Sequence, residues 1–289
     1  MDVEMKIQEP INKVTRKQKL KNYSKHPGSF LLALLTKLAI LLTVLALGFI
    51  LIYILVKGIP NLGTDLFAFK YTTENVSMLP AIINTLIITL LSLCIAGPIG
   101  IFSAIYLVEY AKKGNKLVEV VRVTAETLTG IPSIVYGLFG MLFFVTTLKC
   151  GYSLLAGALT LSIMVLPVIM RTTEEALLAV PNSFREGSFG LGAGKLRTIF
   201  KIVLPSAVPG ILAGVILAIG RMVGETAALI YTAGTVAEIP SSIMSSGRTL
   251  AIHMYSLSKE GLYTDQAYAT AVVLLIVVVP VSYTHLTLP

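Results

Sequence analysis

Arg221 and Glu225 stand inside one of the most apolar stretches of this chain, residues 208–233. Four positions apart, on a helix they fall about 40° from each other on one face. A charge in hydrocarbon is costly, by roughly 2.5 to above 10 kcal/mol for Arg, so its presence there points to function. Guanidinium is permanently charged, and its planar fork of donors matches the oxygens of an oxyanion. Arg171, at the end of the apolar stretch 153–170, supplies a second such donor or a plain anchor at the membrane surface. Two readings of the Arg221–Glu225 pair stay open: an anion passes it, or it is an intrahelical ion pair that locks packing. Gly210 and Gly214 share its sector of the helix, which predicts close helix approach along a subunit interface. Arg122 and Glu126 repeat the spacing and read as a structural pair.

The elements that position these groups can be read from composition. Of 289 residues, 55% are hydrophobic and 13% charged, against about 25% charged in soluble domains. That excludes a soluble enzyme, and the same balance excludes a disordered chain. Stretches 30–56, 79–108, 120–147, 153–170 and 208–233 are long enough to cross a bilayer, and 266–281 is a shorter sixth. The fold class is therefore all-α: a polytopic membrane protein with six transmembrane helices. The transmembrane domain runs over 30–281, and the polar run 282–289 is an atypical tail. No ten-residue alternation suggests a β-barrel.

Basic residues set the orientation. The arm 1–29 carries Lys6, Lys13, Arg16, Lys17, Lys19, Lys21 and Lys25, and the second loop adds Lys112, Lys113 and Lys116. Both termini are expected in the cytoplasm. The net charge of +8 is then mostly a topology signal, which argues against a nucleic-acid partner. Cys94 and Cys150 build no disulfide framework or metal site. Gly97-Pro98, Gly130 with Pro132, and Pro167 interrupt three spans, either as packing kinks or as broken helices beside a substrate path.

Residues 172–205 read as a structured cytoplasmic segment. Ser183 and Glu186 form a capping box, which predicts a short helix stopped by Gly190 and Gly192. By composition alone this is an amphipathic connector. The run Gly190–Lys195 lacks the Walker spacing and has Leu196 where a hydroxyl would meet magnesium, so the chain has no ATPase motif of its own.

Glu186-Gly187-Ser188, then Gly192, then Ile202-Val203-Leu204-Pro205 resembles the EAA signature of ABC-importer permeases. Gly187 and Ser188 stand where that signature has two alanines. The strings Ala125–Gly140, Met170–Glu174 and Gly220–Ala227 are similar to PstA-type permeases of phosphate importers. The resemblance implies a type I permease fold in the inner membrane. It implies a coupling helix, carried by Ser183, Glu186, Gly187, Ser188, Gly192, Ile202, Leu204 and Pro205, that docks on an ATPase. It also implies a substrate path with Arg171, Arg221, Glu225 and Thr226, and inorganic phosphate as cargo. The implied partners are a second, PstC-like permease, a PstB-like ATPase dimer that uses ATP and Mg, and a PstS-like extracytoplasmic binding protein. No cofactor is expected on this chain. The alternatives are another oxyanion (sulfate, molybdate, phosphonate) or an ATP-independent secondary carrier.

Overall fold

A computed structural model describes residues 27–112 and 114–287, with side chains from 28 to 279. The basic arm through position 26 and the side chains of the tail 282–289 lie outside the described residues. Among the described residues every regular element is helical. The chain divides into two units, Met1–Tyr53 and Ile54–Pro289.

The first unit holds most of α1 (Pro27–Gly58). This helix is apolar on every face, as a membrane span is. Its two threonines, Thr36 and Thr43, donate to carbonyls four residues back at 2.8 and 2.9 Å, which satisfies both hydroxyls within the helix.

The second unit is built on α2 (Leu79–Ile105), α5 (Leu154–Ala179) and α8 (Leu204–Val223). α2 packs along α5, and α5 packs along α8. Ile88, Leu161, Met164, Val165, Ala218 and Met222 fill the middle of this bundle. Ser92 donates to the carbonyl of Ala158 at 3.1 Å, and Ser162 donates to that of Ser92 at 3.3 Å, so hydroxyls tie α2 to α5. A second apolar cluster, including Ile105, Leu177, Ile199 and Val203, closes one end. α6 (Asn182–Gly190) and α7 (Lys195–Thr198) lie at that end. At the other end α10 (Leu250–Glu260) packs on α11 (Thr264–Thr287).

Among the described residues, four helices are long and apolar enough to cross a membrane: α1, α2 with its extension to Tyr110, α5, and the run Lys195–Val223. The stretch 120–147, expected as one crossing, is instead two helices, α3 (Lys116–Thr129) and α4 (Ser133–Gly140), with a π turn extending α4 to Thr147. They are bent by 103° at Gly130-Ile131-Pro132. Pro132 has no N–H to continue the helix, and the Tyr136 hydroxyl donates to the Leu128 carbonyl at 2.7 Å. Pro98 and Pro167, by contrast, stay inside unbroken helices. The last apolar stretch begins α11, with Thr264–Val279 its described part. Counting the bent pair once gives up to five crossings by length and composition among the described residues, and the last helix, expected as the sixth, extends past them. α5 also continues past position 170 to Ala179, and the fifth span starts at Lys195 and stops at Val223 rather than running to 233.

Candidate functional site

The apolar stretch 208–233 is broken at Gly224, which ends α8; a four-residue helix, α9 (Ala227–Ile230), comes next. Arg221 is thus in the last turn of α8, while Glu225 lies beyond the helix end. The expected one-face pair is not formed. Glu225 is buried, and its Oε1 accepts from the Ala228 N–H at 3.1 Å, capping α9. The break engages the carboxylate in capping α9, which no helical wheel drawn through Gly224 reveals.

This break meets the one in the third span. α9 packs on α4, and Gly137 lies so close to Ala228 that a Cβ would sit 2.8 Å from the Ala228 Cα. Arg221 is half-buried, within electrostatic reach of the Tyr136 phenol. Thr226 lines a cavity of about 720 Å³ with Tyr231, Tyr255, Ser258, Lys259 and Tyr268. Backbone released from helical bonding at membrane depth is tolerated where it borders a cavity, and broken helices of this kind build transporter sites.

Arg171 belongs to a different level. It lies 3.8 Å from Glu126 and 3.3 Å from Glu175, while Arg122 reaches Glu174 at 2.6 Å. The expected Arg122–Glu126 pair is replaced by links across α3 and α5, since the bent span lays α3 beside α5. These five residues line a cavity of about 250 Å³. Gly214 packs against Thr172, and Gly210 packs so that a Cβ would come 2.7 Å from that of Ala176. The glycine face of α8 therefore seats α5 of the same chain, not a second subunit as expected. Seven residues of helix separate Gly214 from Arg221, so the Arg171 and Arg221 levels lie about 10 Å apart along the axis.

The EAA-like residues fall on α6 and the turns after it. α6 begins at Asn182 with Pro181 before it and no side-chain cap. Ser183 is inside the first turn, so the capping box with Glu186 is not made. Gly192 takes φ +82°, a left-handed turn suited to glycine, and Gly194 precedes α7. Ser188 is buried and bonds the Thr198 hydroxyl at 2.8 Å, while Gly187 and Glu186 lie on the outside. Ile202 and Leu204 flank buried Val203 where a π turn, Ile199–Val203, enters α8, and Pro205 comes next in its first turn. Phe184, Phe189 and Leu191 are exposed around α6, Leu191 to 91%.

Three groups escaped the sequence reading. Glu174 had no signal beyond its place beside Arg171. Glu109 and Arg185 form a buried ion pair between distant segments. Arg248 and His253 are buried; Arg248 lies 4.7 Å over the Tyr71 ring, and His253 meets its edge at 6.3 Å.

These features define a helical membrane permease of the importer type, with broken helices beside a cavity and a short helix projecting from one end of the bundle. Residues 96–287 match the family described as binding-protein-dependent transport system inner membrane component, and the chain belongs to that family. The probable ABC transporter permease protein YqgI of Bacillus subtilis is 34% identical over 233 residues, 74% of this chain and 77% of its own. The phosphate transport system permease protein PstA of Pasteurella multocida is 40% identical over 205 residues, 70% of this chain and 72% of its own. Among solved structures, a chain of a bacterial alginate ABC transporter matches with a TM-score of 0.62 at 16% identity, covering 91% of this chain and 95% of its own. A chain of the MetNI methionine ABC transporter matches at 0.54 and 19%, covering 81% and 94%. At those identities the likeness is one of fold. The chain is a multi-pass inner-membrane transport component rather than an enzyme.

Proposed function

We propose that this chain is one permease subunit of an ATP-driven phosphate importer, forming half of the translocation path. The observation that carries the reading is 40% identity over most of the chain to a permease named for phosphate transport. The chemistry agrees with it. Two guanidinium levels about 10 Å apart along one bundle would hand an oxyanion from Arg221 to Arg171. Arg171 also lies near Glu126 and Glu175 and is half-exposed, so an anion arriving at this level meets a guanidinium open to the cavity. Glu225 and Thr226 shape the break between α8 and α9 at the Arg221 level.

The end bearing α6 faces the cytoplasm in this reading, with the N-terminal arm 1–29 on the same side and residues 30–281 forming the transmembrane domain. α6 docks on the ATPase subunit through its exposed Phe184, Phe189 and Leu191, with Glu186 and Gly187 on the same outer surface. ATP and Mg are used by that PstB-like partner. A PstC-like permease completes the path, and a PstS-like binding protein delivers phosphate to the opposite end. Substitution of Arg221 by Lys tests the path. Lys keeps the charge but loses the planar fork, so phosphate uptake should fall sharply in a strain lacking its own importer, with the complex still assembled. Full uptake by that variant removes Arg221 from the path.

A further inference from the structure

The guanidinium of Arg185, in the first turns of α6, grips two other helices at once. Its Nε and Nη2 donate to Glu109 Oε1 at 3.0 and 2.7 Å. Its Nη1 donates to the Val180 carbonyl at 2.8 Å, and Nη2 also donates to the Leu177 carbonyl at 2.9 Å. Those carbonyls belong to the end of α5, where the last four have no helical partner and the helix dipole favours a cation. Glu109 belongs to the end of α2, in the π turn Tyr106–Tyr110. Such a turn inserts an extra residue into the helix and turns the side chains after it, and it occurs often at functional positions. The pair is out of solvent, with 9% of the Glu109 side chain and 14% of that of Arg185 exposed.

We propose that Glu109–Arg185 is the strut that transmits displacement of α6 into the bundle; this rests on α6 docking the ATPase. α6 is otherwise joined to α5 through Val180-Pro181 and to α7 through a turn with Gly192 at φ +82°, and it packs on the π turn Ile199–Val203 that enters α8. Ser188–Thr198 ties it to α7 alone. Arg185 adds the polar link that fixes α6 to the ends of α2 and α5, which pack along each other through the bundle. Arg185 and Glu109 are positioning residues: neither meets substrate or nucleotide.

The test is the number of ATP molecules hydrolysed per phosphate imported by the whole complex in proteoliposomes, for Glu109→Gln and Arg185→Lys. Gln keeps an acceptor without the charge; Lys keeps the charge but cannot span the carboxylate and two carbonyls. Assembled complexes of both should hydrolyse about tenfold more ATP per phosphate than wild type. An unchanged ratio, whatever the absolute uptake, overturns the strut. So does a Glu109→Gln complex that fails to assemble, since the pair then serves folding alone. Leu191→Asp is the control on docking: if the ATPase stays bound to it, the docking reading fails instead, and wild-type vesicles that take up no phosphate fail the transport reading.

Discussion

Arg122 Nη2 lies 2.6 Å from Glu174 Oε1, joining α3 to α5. Glu174 is the buried partner, 13% exposed, while Arg122 is half in solvent. Removing Arg122 therefore strands a mostly buried carboxylate, which costs more than an exposed pair is worth. Arg122→Gln should destabilise the protein by about 1–2 kcal/mol, and adding Glu174→Gln should recover most of that loss. Thermal unfolding in detergent measures both, and equal stability of Arg122→Gln and wild type would show that the link is idle.

Two glycines separate packing from helix propensity. A Cβ on Gly214 would collide with Thr172, whereas one on Gly97 meets nothing within 4 Å. Gly214→Ala should cost about 1–3 kcal/mol by overpacking, and Gly97→Ala should be neutral or stabilising by up to about 1 kcal/mol. Matching unfolding midpoints for the two variants would contradict the close seat of α8 on α5.

Much of the fold is legible in the sequence because lipid imposes one rule: long apolar runs are helices. That rule located the apolar stretches, while the short helix after Pro181 is legible from local stop signals at Gly190 and Gly192. It failed where a break depends on tertiary partners. Pro132 ends α3 because Tyr136 and α9 accept the bend, whereas Pro98 and Pro167 stay within helices fixed by packing between α2 and α5. The Arg221–Glu225 pairing failed for the same reason: Gly224 ends the helix, and Glu225 turns to cap α9. Spacing also paired Arg122 with Glu126, because local sequence carries no record of α3 lying beside α5. The Glu109–Arg185 contact joins residues 76 positions apart and leaves no local pattern at all.

His253 gives a pH signature. Both ring nitrogens are buried without a partner of full hydrogen-bond geometry. Burial holds the imidazole below its usual 6.5, to about 3, with Arg248 adding to the effect and the Val76 backbone opposing it. The unfolded chain takes up a proton near pH 6.5 that the folded chain refuses until about pH 3. The stabilisation from neutral His253 is therefore complete above 6.5 and is lost as pH falls through that window, by up to about 1.4 kcal/mol per unit. His253→Leu should flatten this part of the stability curve; a slope equal to wild type would place the proton elsewhere.

Uptake of radiolabelled phosphate decides whether this permease imports phosphate at the expense of ATP. The vesicles carry this chain with its companion permease and ATPase, and the binding protein is supplied outside. Label should accumulate only with ATP and Mg on the α6 side, and accumulation should persist in excess sulfate or molybdate. Accumulation without ATP would identify a secondary carrier, and accumulation of sulfate or molybdate in place of phosphate would identify a different cargo; either result contradicts an ATP-driven phosphate importer.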